Sequence, residues 1–121
     1  MSRSDSFRLQ PPPALKEADV VEACCDLLAL RGYKVIRQQV ARAKTAAGNW
    51  LTIGELGMPD FIAMHGKFRS FLMEVKRPGG KLSPEQVFKI QQLQMGYRLA
   101  VAVVESSREL HDWLTQHERS P

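Results

Sequence analysis

The sequence predicts an α/β fold, a mixed central sheet flanked by helices, with elements in the order α-β-β-β-α-β-α. Three observations predict it. Apolar residues recur at helical spacing in residues 16–31, after Ser83 and after Ser106. Two short apolar runs, Phe61-Ile62-Ala63-Met64 and Phe71-Leu72-Met73-Glu74-Val75, flank the turn-like His65-Gly66-Lys67-Phe68, as in a hairpin or meander. Leu99-Ala100-Val101-Ala102-Val103-Val104 is apolar throughout, as expected of an interior strand covered on both faces. A chain of 121 residues supports one domain around one core. It divides into a tail over residues 1–13 and a folded domain over residues 14–121.

The tail is polar and ends in Pro11-Pro12-Pro13, which favours extended chain. It reads as a surface-draped segment or as an arm that clasps a second subunit. The helix over residues 16–31 stops at Gly32. Val20, Val21, Cys24, Leu27 and Leu28 form its buried stripe, while Asp19, Glu22 and Asp26 fall on a solvated face. Glu17 heads the apolar stripe, a favourable place for a carboxylate near a helix N-terminus. Residues 33–40 form the first strand, with Val35 alternating against Lys34 and Ile36. Arg37 leaves that strand either to hold a phosphate or as a solvated edge charge. Residues 41–49, with Arg42, Lys44, Gly48 and Asn49, read as a mobile basic loop. Such a loop suits a polyanion's backbone, or solubility alone. Trp50-Leu51-Thr52-Ile53 continues the sheet.

Beyond Lys76, Arg77-Pro78-Gly79-Gly80 ends the strand in a sharp turn, and Arg77 and Lys81 flank a spot where a phosphate could sit. No GxxxxGK[ST] occurs, so no nucleotide site is expected. Ser83 as N-cap, Pro84 at N1 and Gln86 at N3 open the next helix, and Ser83 with Gln86 makes a capping box. Val87, Ile90 and Leu93 give its buried stripe, Gln91, Gln92 and Gln94 its surface, and Gly96 its end. Ser106 or Ser107 caps the last helix, with Leu110, Trp113 and Leu114 inward and His111 and His117 on the solvent side, not as ligands.

Composition sets further bounds. Hydrophobic residues at 44% and charged residues at 25% are ordinary for a globular chain. A net charge of +4 and a sequence pI near 9.3 are compatible with a polyanionic partner. Cys24 and Cys25 are adjacent in a helix and point apart, so no mutual disulfide is expected, and no Cys/His spacing suggests zinc. Both read as thiols of a reducing compartment. No apolar run approaches the roughly 18 residues of a membrane span, and the N-terminus lacks the apolar core of a secretory signal. A cytoplasmic protein is expected.

The chemistry concentrates in Gly57-Met58-Pro59-Asp60 and Glu74-Val75-Lys76. A buried strand seldom carries charge without a compensating partner, because an unpaired charge in low dielectric is costly. Strand alternation points Leu72, Glu74 and Lys76 one way and Phe71, Met73 and Val75 the other, into a core. Pairing of the two apolar runs brings Asp60 close to Glu74. Two carboxylates and one ammonium on one patch suit a divalent cation with a cationic helper.

Pro59-Asp60 followed by Glu74-x-Lys76 resembles the signature of the PD-(D/E)xK nucleases, the restriction-endonuclease-like superfamily. With Gly57, then Gly80-Lys81-Leu82-Ser83 and Gln86, it is similar to the VRR-NUC branch. The resemblance implies a restriction-endonuclease-like α-β-β-β-α-β core and a metal-dependent DNA endonuclease. It implies Mg2+ or Mn2+ on Asp60, Glu74 and the backbone carbonyl of Val75, with Glu17 as an extra acid from the first helix. Lys76 would position water and stabilise charge, and Gln86 would lie beside the active site as well as capping its helix. Arg37, Arg42, Lys44, Arg77 and Lys81 would meet the DNA backbone. Small superfamily members often act as dimers, so a homodimer that resolves Holliday junctions in branched DNA is expected. The alternatives are a monomeric flap or exonuclease, a DNA-binding module without catalysis, and a structural subunit.

Overall fold

The computed structural model describes residues 15–38, 41–53 and 55–120; of Ala41, Arg42, Thr52 and Ile53 it describes the backbone only. The tail over residues 1–13 lies outside the described residues. Helix α1 (Glu17–Leu30) is followed by strands β1 (Lys34–Arg37), β2 (Ala41–Lys44), β3 (Trp50–Ile53), β4 (Phe61–Met64) and β5 (Phe71–Val75). Helix α2 (Pro84–Gln91) runs on into a wider π-helical turn over Gln92–Gly96, then come β6 (Val101–Val104) and helix α3 (Ser107–His117).

One sheet carries β1, β4, β5 and β6 in that spatial order. The β1/β4 and β4/β5 pairs are antiparallel and β5/β6 is parallel. The parallel pair needs a crossover, which α2 supplies. Taken through this sheet alone, the element order is the expected α-β-β-β-α-β-α, and the fold is the mixed α/β sandwich of a restriction-endonuclease-like core. Helices α1 and α3 cover one face. Their Val20, Cys24, Leu28, Leu110 and Leu114 pack on Phe61, Phe71, Met73, Val75 and Val104. Helix α2 covers the other face, where Ile90 and Leu93 pack on Leu72 and Val101. Every residue of β5 is buried, with alternate side chains entering alternate cores. Burial holds the Cys24 thiol up at about 11, so it stays protonated; both cysteines are free.

Several expectations need correction. Ala41–Lys44 is a strand, not a loop, and Trp50–Ile53 pairs with it in a separate two-stranded ribbon rather than extending the main sheet. Alanine and lysine are weak strand formers, so this pairing rests on the cross-strand partner. Among the described residues, the apolar run ending at Val104 is an edge strand that pairs with β5 alone, and Leu99 and Val103 are exposed. Val87 is likewise exposed at 40% rather than part of the buried stripe. His117 is buried, not on the solvent side. It falls four residues after Trp113 and stacks on that ring at 4.6 Å, while its Nε2 donates to the Arg69 carbonyl at 2.6 Å. His111 is exposed, as expected.

Candidate active site

Strand alternation turns Glu74 toward α2, and its residue is only 2% exposed. Three donors surround the carboxylate. Gln86 Nε2–H donates to Oε1 at 3.0 Å and the Asp60 backbone N–H to Oε2 at 3.1 Å. Lys76 Nζ lies 3.6 Å from Oε1. The amide of Gln86 has little choice of orientation. Its Oε1 accepts the Ser83 N–H at 2.9 Å while Ser83 Oγ accepts the Gln86 N–H at 3.1 Å. That capping box leaves the amide nitrogen for Glu74. The two readings of Gln86, helix cap and neighbour of the acidic patch, hold together in one side chain.

Asp60 reaches the patch through a turn that only glycine permits. Gly57 has φ +80, and a Cβ there would lie 3.0 Å from the Glu85 carbonyl oxygen. The turn therefore rests against the first turn of α2, the one that carries Gln86. Pro59 is fully buried behind it. On the other flank the Gln38 N–H donates to the Asp60 carbonyl. After Lys76, Pro78 and Gly79 (φ +77) close a turn of type II character, with the Gly80 N–H on the Arg77 carbonyl at 2.8 Å. Arg77 and Lys81 are exposed around it.

The electrostatics leave an acidic surplus. Burial pushes the Glu74 carboxyl above its usual range, the negative charge of Asp60 pushes it further, and Lys76 and the Asp60 N–H pull back. A divalent cation would relieve both upward pushes. The two carboxylates present are hard oxygen donors and fit an ion such as Mg2+ or Mn2+. Such ions often take one or two protein carboxylates and fill the remaining positions with water and phosphate oxygen.

The remaining sequence-predicted residues are spread around this patch. Glu17 is exposed at the start of α1, the helix on the opposite face from Gln86. Among the described residues, no group of three His, Cys, Asp or Glu side chains converges as a metal site. Arg37 pairs across the sheet with Phe61 and holds its guanidinium 5.3 Å from that ring's centroid. Lys44 is exposed on the ribbon. The side chain of Arg42 lies outside the described residues.

A family model described as the VRR-NUC domain matches residues 17–107, which span Asp60, Glu74, Lys76 and Gln86. The chain belongs to the VRR-NUC family. It is a nuclease domain, and DNA is what a nuclease domain of this kind binds. No curated protein and no solved structure matches the chain. Among the described residues of this VRR-NUC domain, no helix is long and apolar enough to cross a membrane. Two contributors to the patch escape a sequence reading. Gln38 and the backbone N–H of Asp60 act through the main chain, and nothing in their side chains signals it. Gly57 carries a signal, a glycine two residues before a proline, but its close approach to Glu85 depends on how α2 docks.

Proposed function

We propose that this VRR-NUC domain is a metal-dependent, structure-selective DNA endonuclease, working as a homodimer that resolves four-way junctions. One observation carries the chemistry: a buried Glu74 carboxylate held between the Gln86 amide and the Asp60 N–H, with Lys76 Nζ beside it. Asp60, Glu74 and the Val75 carbonyl would hold Mg2+ or Mn2+. When bound, the cation supplies Lewis-acid polarisation of the scissile phosphate and a lowered pKa for water.

The chain's own groups do the rest. Gln86 and the Asp60 peptide aim the Glu74 carboxylate, so no reorganisation is needed when substrate arrives. Lys76 Nζ orients the attacking water and offsets the negative charge that grows on the phosphate oxygens. It acts by position and charge. Arg37, Arg42, Lys44, Arg77 and Lys81 neutralise flanking phosphates and fix the register of the strand to be cut. Glu17 contributes charge from a distance.

Support for a dimer comes from exposed apolar side chains. Leu56 and Phe88 line one shallow groove, Tyr97 and Leu99 a second, and Lys89 borders both. A twofold pair of such faces would present two sites to two strands. The test incubates the protein with a labelled four-way junction, a flap and a linear duplex in Mg2+, Mn2+ or EDTA, alongside its size in solution. A dimer that cuts the junction in metal supports the proposal. A monomer with only flap or exonuclease activity replaces it, and binding without cutting in any metal leaves a DNA-binding module.

A further inference from the structure

We infer that the β2–β3 ribbon is a base-reading arm, in which Trp50 stacks on an unpaired base of branched or single-stranded DNA while Lys44 takes the adjoining phosphate. The inference rests on the DNA-cleaving reading above and names the feature that selects substrate shape.

Among the described residues, the ribbon's two strands pair with each other and not with the main sheet, and they lie in the chain between Gln38 and Asp60. Gln38, just before it, is hydrogen-bonded to the Asp60 carbonyl. The arm is therefore rooted on the residue that the cleavage chemistry needs. Four-residue strands at about 3.3 Å per residue make the ribbon roughly 13 Å long. That is about four nucleotides along a stacked strand.

Lys44 and Trp50 are directly opposite in register, so an ammonium and an indole share one face of the ribbon. Trp50 is 62% exposed and Leu51 54%, while Lys44 is exposed beside them. The tip is a tight turn, with the Thr45 N–H on the Asn49 carbonyl at 2.7 Å and the Asn49 N–H on Thr45 Oγ1 at 3.1 Å. The lysine next to the ring and the +4 charge of the chain favour a polyanion over a second, equally basic copy. An indole gains from stacking only where a base is not already stacked in a duplex. Junction centres, flaps and tails offer such bases, and a blunt duplex does not.

The chain has two tryptophans, and the other, Trp113, is packed against Phe71 and His117. Emission from Trp50 therefore reports on the arm. In EDTA, which stops cutting, the wild type is titrated with a four-way junction, a single-strand-tailed duplex and a blunt duplex of matched sequence. Quenching by the first two but not the third is expected. Trp50→Ala should weaken junction and tail binding about five- to hundred-fold, the worth of one stacked base, and change blunt-duplex binding less than about twofold. Trp50→Phe should restore most of the loss. Unchanged junction affinity in Trp50→Ala, or equal weakening on all three DNAs, overturns the inference. If the wild type then still cuts in Mg2+ and Lys76→Ala does not, only the arm is refuted. A wild type that binds no DNA overturns both readings.

Discussion

The two faces of the main sheet are built for different purposes. The face under α1 and α3 closes on a continuous cluster that includes Phe61, Phe71, Met73, Leu110 and Leu114, with Trp113 and His117 stacked at its edge. Among the described residues, the face under α2 buries the smaller cluster of Leu72, Ile90, Leu93 and Val101, and it contains Glu74. One strand, β5, serves both. Its odd-numbered side chains anchor the sheet, and its even-numbered ones border the chemistry. A charged group can therefore be buried without weakening the larger core, because period-two alternation keeps the two environments apart. The difference teaches that stability and reactivity are divided across a sheet only one strand thick.

The largest expected effect separates the two faces outright. Glu74→Gln should lower metal-dependent cutting roughly a thousandfold or more, about 4 kcal/mol of transition-state stabilisation, while the protein still unfolds cooperatively. The same variant has a pH signature. A carboxyl whose folded pKa is raised contributes stability that is fully present below its unfolded pKa and lost as pH rises through the raised value. Metal-free wild type should therefore lose stability with rising pH over that window. Glu74→Gln should flatten the slope in a thermal-melt series. An unchanged slope would mean that Glu74 is not the buried acid described.

Next comes the core comparison. Leu114→Ala should cost about 3 kcal/mol by denaturant unfolding, the transfer and cavity penalty of a fully buried leucine. Ile90→Ala on the thinner face should cost less, because the site can collapse and is 6% exposed. The reverse ranking would break the contrast between faces. Gly57→Ala should cost about 1–2 kcal/mol for its left-handed backbone. It should lower cutting more than stability, since the added Cβ pushes the Asp60 turn off α2. Smallest of all, Glu17→Gln should change cutting less than about twofold, as expected of a screened charge at the surface. A large loss of activity there would bring the first helix into the metal site.

Much of this architecture is legible in the sequence because it is local. The approach of Asp60 to Glu74 follows from two apolar runs joined by a short turn. The Ser83–Gln86 capping box follows from residues three apart. The α1 stripe of Val20, Cys24 and Leu28 follows from helical spacing. What escapes depends on tertiary placement. Ala41-Arg42-Ala43-Lys44 has no strand pattern until Trp50–Ile53 lies beside it. Val103 looks interior because an apolar run predicts cover, not which neighbours exist. His117 is polar yet buried because the Arg69 carbonyl needs a donor at that point. The bond from Gln86 Nε2 to Glu74 joins helix to strand, and the capping box alone says nothing of it.

The central claim is that Asp60, Glu74 and Lys76 together cut DNA with the help of a divalent ion. The most direct test is cleavage of a labelled four-way junction by wild type and Lys76→Ala in Mg2+, Mn2+ and EDTA, with binding measured in parallel. The wild type should cut in metal only, and Lys76→Ala should cut no more than background at retained affinity. Cutting in EDTA, or wild-type rates from Lys76→Ala, would contradict it.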